Sequence, residues 1–357
     1  MNKLWSSQIG FGTGGNISKY NESCHNLYID IIRKSIDLGN TFIDTAEIYG
    51  NGYSERLIGE AIYGNYPRED IFIATKVSPE NLGYNNVIKS AKNSCIRLKM
   101  DYIDLCQIHW ANPLISLKET LSAMKYLLDI GTVNHIGVCN FSLKELVKAR
   151  KLSNELGFDI DSIQLEYNLF DRTVEKDIIP YCEKNDITFI AYSPLDNGKF
   201  KNYIYYNLLE SIANKYNKTV SQLILRWIIE KDNVIVIPTT SNINHIENNA
   251  LSNFKINKED IKFINENIIT TLIEIPIENI SANSERLDKF IPNPEDLSIC
   301  IKNGIELKPI RVKKLNNLLY ELTEGKVRYW AWIYAHDGTI NNYKNIGIPS
   351  IKALIRS

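Results

Sequence analysis

The chain carries almost no net charge. Against 41 Lys and Arg stand 42 Asp and Glu, a formal balance of −1 over 357 residues. A near-neutral surface has no global field to gather nucleic acid or an anionic membrane, so neither is expected as a partner. Long apolar runs are also missing, and none approaches the roughly 18 residues that a bilayer-spanning helix needs. The N-terminal residues Met-Asn-Lys-Leu-Trp-Ser-Ser lack the apolar core of a secretory signal. Cysteine is sparse and scattered: positions 24, 95, 106, 139, 182 and 300 form no Cys-x-x-Cys pair. That pattern reads as reduced, mostly buried thiols in a cytoplasmic protein, with no metal site expected.

What is present is enough apolar sequence for a large core, 44% hydrophobic with 23% charged. The length suits one large α/β domain plus an extra piece, or two to three ordinary domains. The most informative stretch is Phe-Ile-Asp-Thr-Ala-Glu-Ile-Tyr-Gly, residues 42–50. A buried strand runs into a carboxylate, Asp44, and a phenol, Tyr49, before a Gly-containing loop and a helix near Ser54. An α/β enzyme presents its chemistry in this way. Earlier, Gly10 to Gly15 matches G-x-G-x-x-G, but polar loop rather than an apolar helix follows, and a Gly-rich turn is the better reading.

From residue 7 to about 251, eight short apolar runs alternate with helical patterns. The strands fall near 7–12, 42–50, 71–77, 105–110, 135–140, 162–168, 188–194 and 234–238. Unbroken apolar strands are expected where both sheet faces are covered. The period predicts an α/β fold, a (β/α)₈ TIM barrel over residues 1–270, whose site lies at the C-terminal strand ends. Those ends are Asp44, Lys76, His109, Asn140, Gln164, Tyr192 to Pro194, and Pro238. After residue 270 the rhythm breaks. Residues 270–283 read as irregular, 271–290 as a linker, and 291–357 as a small C-terminal α+β domain.

Asp44, Tyr49, Lys76 and His109 sit on three successive strand ends or the loops after them. A free phenol titrates near pH 10, too weak an acid to protonate an alkoxide well at neutral pH. A neighbouring ammonium is expected to lower it, and a carboxylate to fix that ammonium. An imidazole beside the phenol can orient a carbonyl oxygen or relay a proton. Together they form a proton-donating pocket for carbonyl reduction.

These residues also carry a resemblance. Gly-Phe-Gly-Thr, Phe-Ile-Asp-Thr-Ala-Glu-Ile-Tyr-Gly, Ile-Ala-Thr-Lys-Val, Asp-Leu-Cys-Gln-Ile-His-Trp, Ile-Gly-Val-Cys-Asn-Phe, Ile-Gln-Leu-Glu-Tyr-Asn-Leu-Phe, Ala-Tyr-Ser-Pro-Leu and Val-Ile-Pro-Thr-Thr-Ser occur in order. Over residues 1 to about 268 the chain resembles the aldo-keto reductase superfamily. The resemblance implies Tyr49 as general acid, Lys76 and Asp44 as its tuners, and His109 orienting the substrate carbonyl. It also implies a nicotinamide cofactor giving hydride, with Asn140 and Gln164 on its carboxamide and Tyr192 stacked on the ring. Ser193, Leu195 and Asp196 would border the pyrophosphate. Gly12, Thr13, Cys139, Pro238, Thr239, Thr240, His245 and Asn249 complete the implied cofactor site, and Trp110 is either core or a wall of the substrate pocket.

The chain departs from the family pattern at Cys139, usually Ser, and at Thr239 and His245, where NADP-binding members usually carry Lys and Arg. NADP is expected on family habit, with NAD open. The C-terminal residues around Gly304, Lys308-Pro-Ile-Arg-Val and Gly325-Lys-Val-Arg328 resemble the ParB/sulfiredoxin-like fold, in which Gly325 and Arg328 would form a phosphate site. The reading favoured over that site is that the domain packs against the barrel, replaces the usual C-terminal substrate loop or mediates dimerisation, and the chain is expected to be a monomer or homodimer. His135 and His336 read as structural. The functional expectation is an NAD(P)-dependent oxidoreductase acting on a small carbonyl or alcohol, in a specialised biosynthetic pathway. The alternative is a non-catalytic nicotinamide-nucleotide sensor whose C-terminal domain binds a partner or second nucleotide.

Overall fold

A computed structural model describes residues 4–5, 7–268, 272–282, 293–303, 307, 309–316, 318–339 and 347–356. It divides into two compact units, Met1–Lys201 with Tyr205–Glu266, and Asn202–Ile204 with Asn267–Ser357.

The first unit is a parallel barrel. Its strands are β1 (Phe11–Gly12), β2 (Phe42–Asp44), β3 (Phe72–Val77), β4 (Ile103–Ile108), β5 (Val133–Cys139), β6 (Ser162–Glu166), β7 (Thr188–Tyr192) and β8 (Val234–Val236), hydrogen-bonded in chain order. The ring closes where Gly10 N–H donates to the Val236 carbonyl (2.8 Å) and Val236 N–H to the Gln8 carbonyl (2.9 Å). Around it lie α1 (His25–Asp37), α2 (Tyr53–Ile62), α3 (Tyr84–Leu98), α4 (Leu117–Asp129), α5 (Leu143–Glu155), α6 (Ile178–Lys184), α7 (Tyr206–Lys215), α8 (Val220–Ile228), α9 (Ile243–Ala250) and α10 (Lys258–Asn267). Capping boxes start two of them, Ser142 with Glu145 and Thr219 with Gln222.

Two helical details differ from the sequence reading. The helical pattern that Val174 to Asn185 shows in the sequence is split into a 3₁₀ turn, Thr173–Glu175, followed by α6, where the Asp177 side chain accepts from Ile178 N–H. Helix α10 was not anticipated; its stretch Lys-Glu-Asp-Ile-Lys-Phe-Ile-Asn-Glu-Asn is too polar to show a clear apolar stripe.

Alternation along each strand decides what enters the barrel. Phe42, Phe72, Ala74, Leu105, Ile190, Ile235 and Ile237 form one buried cluster, with Phe42 stacked on Phe72 at 5.1 Å. Two residues further along β3, and at the end of β2, the same inward direction delivers Lys76 and Asp44. In the layer between, Gln107, Gly137 and Ser162 are register partners on β4, β5 and β6.

The second unit holds a five-stranded mixed sheet ordered β10-β12-β11-β13-β9. Its strands are β9 (Leu272–Ile275), β10 (Ile280–Ser281), β11 (Ile310–Lys314), β12 (Tyr320–Glu324) and β13 (Ile351–Arg356), with helices α11 (Pro294–Lys302) and α12 (Lys326–Ala335). Ile310, Val312, Tyr329, Trp330, Ile277 and Ile280 are among its core. The stretch 270–283, expected to be irregular, instead supplies β9 and β10. Leu-Ile-Glu-Ile alternates as an antiparallel partner of β13, and Pro276 ends the strand without excluding it. Residues 283–290 of the expected linker, Gly304 and Lys308 lie outside the described residues.

Gly137 has no room for a side chain: a Cβ there would land on Ser162 Oγ and stand 3.1 Å from Gln107 Cγ. Alanine would otherwise gain about 0.5–1 kcal/mol over glycine in a strand. Gly137→Ala is therefore expected to lower stability on balance by about 1–3 kcal/mol in chemical denaturation, as overpacked cores do. Adding Ser162→Ala, which removes the struck oxygen, should recover more than half of that loss; no loss in the single variant would mean the strands part freely.

Candidate active site

The site is built on one buried ion pair. Lys76 Nζ donates to Asp44 Oδ2 at 2.6 Å and to the Thr45 carbonyl at 2.8 Å, and the two side chains are 0% and 3% exposed. The other carboxylate oxygen of Asp44 accepts from Gln164 Nε2 at 2.7 Å. Burial alone would drive the ammonium down, but Asp44, Tyr49 and Cys139 more than offset it, and Lys76 titrates above its ordinary value.

Tyr49 lies above this pair. The Lys76 ammonium stands 5.1 Å from its ring centroid, and the ring meets His109 edge-on at 5.8 Å. The loop carrying it turns through three left-handed residues, Gly50, Asn51 and Gly52. A Cβ on Gly52 would strike the side chain of Arg97, which Glu55 holds at 2.5 Å. Ser54 at the start of α2 donates to the Thr13 carbonyl at 3.1 Å, and Thr13 N–H donates to the Asp44 carbonyl at 2.9 Å. Gly14 lies 3.5 Å from the phenol ring, measured from where its Cβ would be.

The electrostatics correct one expectation. The phenol of Tyr49 is raised, not lowered. Desolvation is the largest cause, and although Lys76 pulls downward, Asp44 and the Cys139 thiol push up again. An ammonium already neutralised by a carboxylate at 2.6 Å has less attraction left for a phenolate. His109 is driven down to about 2, first by burial and then by the Lys76 charge, so the imidazole is neutral throughout the physiological range. Its Nδ1 is buried without a hydrogen-bond partner. A neutral ring can donate one hydrogen bond and accept another. Trp110 packs on it at 4.3 Å.

The far side of the mouth is a polar belt. Asn140 follows β5 in a left-handed conformation and donates from Nδ2 to the His109 carbonyl (3.0 Å) and to Cys139 Sγ (3.1 Å). Cys139 in turn donates to Gln164 Oε1 at 3.7 Å, and Tyr192 donates to Asn140 Oδ1 at 3.0 Å. The amides expected to hold a carboxamide thus already brace one another, Asp44 and the His109 backbone.

Beside the mouth a cavity of about 470 Å³ opens between the segment after β7, the first turn of α8, and the loop from β8 into α9. Ser193, Leu195, Pro238, Thr239, Thr240, His245 and Asn249, all among the residues expected at a cofactor, line it. Asp196 does not; it is fully buried, and its N–H closes the turn on the Ser193 carbonyl at 2.9 Å. Gly12 packs against the same region, where a Cβ would come within 2.6 Å of Thr239 Oγ1. Lys201, Tyr206, Thr219 and Ser221 also line the cavity and went unrecognised. The Thr219–Gln222 capping box was the available signal.

Comparison with known proteins follows this geometry. The profile of the Aldo/keto reductase family matches residues 8–269. The chain belongs to the aldo/keto reductase family. It is an NAD(P)-dependent oxidoreductase of the carbonyl-reducing type. It is 34% identical to methylglyoxal reductase YeaE of Escherichia coli, over 61% of this chain and 76% of that one. With the aldo-keto reductase YhdN of Bacillus subtilis it shares 31% identity over 76% and 92% of the two chains. Among solved structures, an aldo/keto reductase from Klebsiella pneumoniae in complex with NADP and acetate superposes with a TM-score of 0.68 at 29% identity, covering 73% of this chain and 91% of that one.

Elsewhere in the reductase, His135 pairs with Asp161 at 3.3 Å, and His336 with the Trp332 carbonyl at 2.8 Å. Among the described residues no helix is long and apolar enough to cross a membrane, and no group of three or more His, Cys, Asp or Glu could hold a metal. In the second unit Gly325 opens α12 at φ +92°, and Arg328 Nη1 donates to the Pro309 carbonyl at 2.8 Å with Glu324 4.0 Å away.

Removing one partner of a buried pair strands the other charge. Asp44→Asn is expected to lower stability by about 3–5 kcal/mol. Asp44→Asn with Lys76→Met should restore most of it in the same denaturation measurement. Equal losses in both variants would show that the pair's charges are not the issue.

Proposed function

We propose that the chain reduces small aldehydes or ketones with NADPH, with Tyr49 as the general acid. The observation that carries this is the placement of a neutral imidazole and a protonated phenol beside a dry, paired lysine. The cavity suits a dinucleotide: basic and hydroxyl side chains line it, no carboxylate does among the described residues, and it opens where Ser193 follows the barrel residue Tyr192. When bound, the nicotinamide supplies the hydride that adds to the carbonyl carbon.

The remaining work falls to the protein. His109 holds the substrate oxygen by a hydrogen bond, as a neutral donor can without competing for the proton. Tyr49 delivers its proton to that oxygen as negative charge develops there, giving the alcohol. Lys76 stabilises the phenolate left behind, and Asp44 keeps Lys76 charged and fixed. Burial, which raises the phenol in the resting chain, keeps it protonated until charge appears. Asn140, Gln164 and Cys139 form the wall for the carboxamide, Tyr192 the stacking surface, and Trp110 a side of the substrate pocket. The names of the relatives, methylglyoxal reductase and glyoxal reductase, make small 2-oxoaldehydes the first substrates to test.

Residues 291–357 are read as the greater part of an α+β accessory domain to which β9 and β10 add strands. Its likeness to the ParB/sulfiredoxin-like fold rests in sequence on the residues around Gly304, Lys308-Pro-Ile-Arg-Val and Gly325-Lys-Val-Arg328. The Arg328 contacts with Pro309 and Glu324 favour a structural role there over phosphate binding.

Tyr49→Phe is expected to cut turnover of methylglyoxal by about 10²- to 10⁴-fold, while quenching of protein fluorescence by NADPH stays within twofold of wild type. Retained turnover in the variant removes Tyr49 from the role; wild-type inactivity over a broad aldehyde and ketone panel removes the function.

A further inference from the structure

Which group reads the phosphate that distinguishes NADP from NAD is open in the sequence, because position 239 is Thr and position 245 is His. The cavity answers from a different direction. Among the described residues its lining contains two basic side chains, Lys201 and His245, and no Asp or Glu. Lys201 comes from the segment after β7 rather than from the β8–α9 loop. That segment, Asp196–Asn202, is kinked through left-handed Asn197 and Gly198, and Phe200 buries itself against Tyr206 at 6.3 Å. With Phe200 anchored, the next residue, Lys201, is left exposed at the cavity wall.

His245 is held in place. Thr240 Oγ1 accepts from Asn242 N–H at 3.1 Å and stands 3.2 Å from His245 Nδ1. The hydroxyl keeps a proton and a second lone pair, so this contact holds Nδ1 in either tautomer. Thr240 and His245 both line the cavity.

We propose that Lys201 and His245 together recognise the additional phosphate of NADP, so that the coenzyme preference of this reductase is set by a lysine from the β7 side of the cavity. The proposal rests on the dinucleotide reading above. Lys201 supplies the fixed positive charge and His245 a hydrogen-bonding ring, and among the described residues no acidic side chain lines the cavity beside them. A dinucleotide lacking that phosphate does not draw on Lys201. Because Lys201 is exposed, its contribution is screened by salt and is expected to be of order tenfold rather than thousandfold.

The test measures dissociation constants of NADPH and NADH by fluorescence titration at low ionic strength, for wild type, Lys201→Gln, Lys201→Arg and His245→Gln. Calorimetry with adenosine 2′,5′-bisphosphate and with adenosine 5′-monophosphate gives a readout free of turnover. Lys201→Gln should weaken NADPH and the bisphosphate about tenfold, change NADH and the monophosphate less than twofold, and flatten the salt dependence of NADPH binding. Lys201→Arg should retain wild-type preference, and His245→Gln should weaken NADPH selectively. Unchanged NADPH affinity in Lys201→Gln, or equal losses for NADPH and NADH, would overturn the assignment. Failure of the wild type to bind either dinucleotide would instead strike the dinucleotide reading itself.

Discussion

A charged lysine with no solvent contact has to be paired, and the mouth of this barrel is arranged around that requirement. Lys76 is delivered inward by the alternation of β3 and meets Asp44 from β2 at 2.6 Å. Each of the other groups takes its character from that pair. The paired ammonium attracts the Tyr49 phenol too weakly to overcome burial, so the phenol stays protonated. The same ammonium, with burial, holds His109 neutral. Burial, beside a charge already paired, thus leaves both neighbours uncharged and able to donate.

The barrel and this constellation were legible in the sequence because both follow from short-range rules. Eight apolar runs gave the strands, and the polar residues ending them gave Asp44, Lys76 and His109. What could not be read was the balance between opposing effects. A lysine near a tyrosine suggests a lowered phenol; only the degree of burial and the strength of the Asp44 contact reverse the direction. Elements lying outside the strong periodicities were also missed, as with the polar helix α10 and the short strands β9 and β10, whose partners β13 and β12 lie about 80 and 40 residues away. Lys201 belongs to the same class. Nothing in Asp-Asn-Gly-Lys-Phe-Lys-Asn says which lysine turns toward a cavity, because the kink at Asn197 and Gly198 decides it.

Backbone conformation is concentrated where the chemistry is. Asn140 after β5, and Ser193, Asp196 and Asn197 after β7, all adopt left-handed angles. Such angles cost energy for residues other than glycine, and persist where surrounding contacts determine them. Here the contacts are visible: Asn140 is tied to the His109 carbonyl and to Tyr192, and the Ser193 carbonyl accepts from Asn168 Nδ2 at 3.2 Å and from Asp196 N–H.

Asp44 also bonds to Gln164, and the strands that carry the two residues, β2 and β6, stand on opposite sides of an eight-stranded ring. A single carboxylate therefore spans the aperture. Strand number and shear together set the girth of a barrel, but this crosspiece fixes the diameter at one height, that of the Lys76 ion pair. A glutamate would preserve every charge here and still be too long by one methylene. The aperture would have to widen or the crosspiece buckle, and the residue is constrained as much by its length as by its acidity.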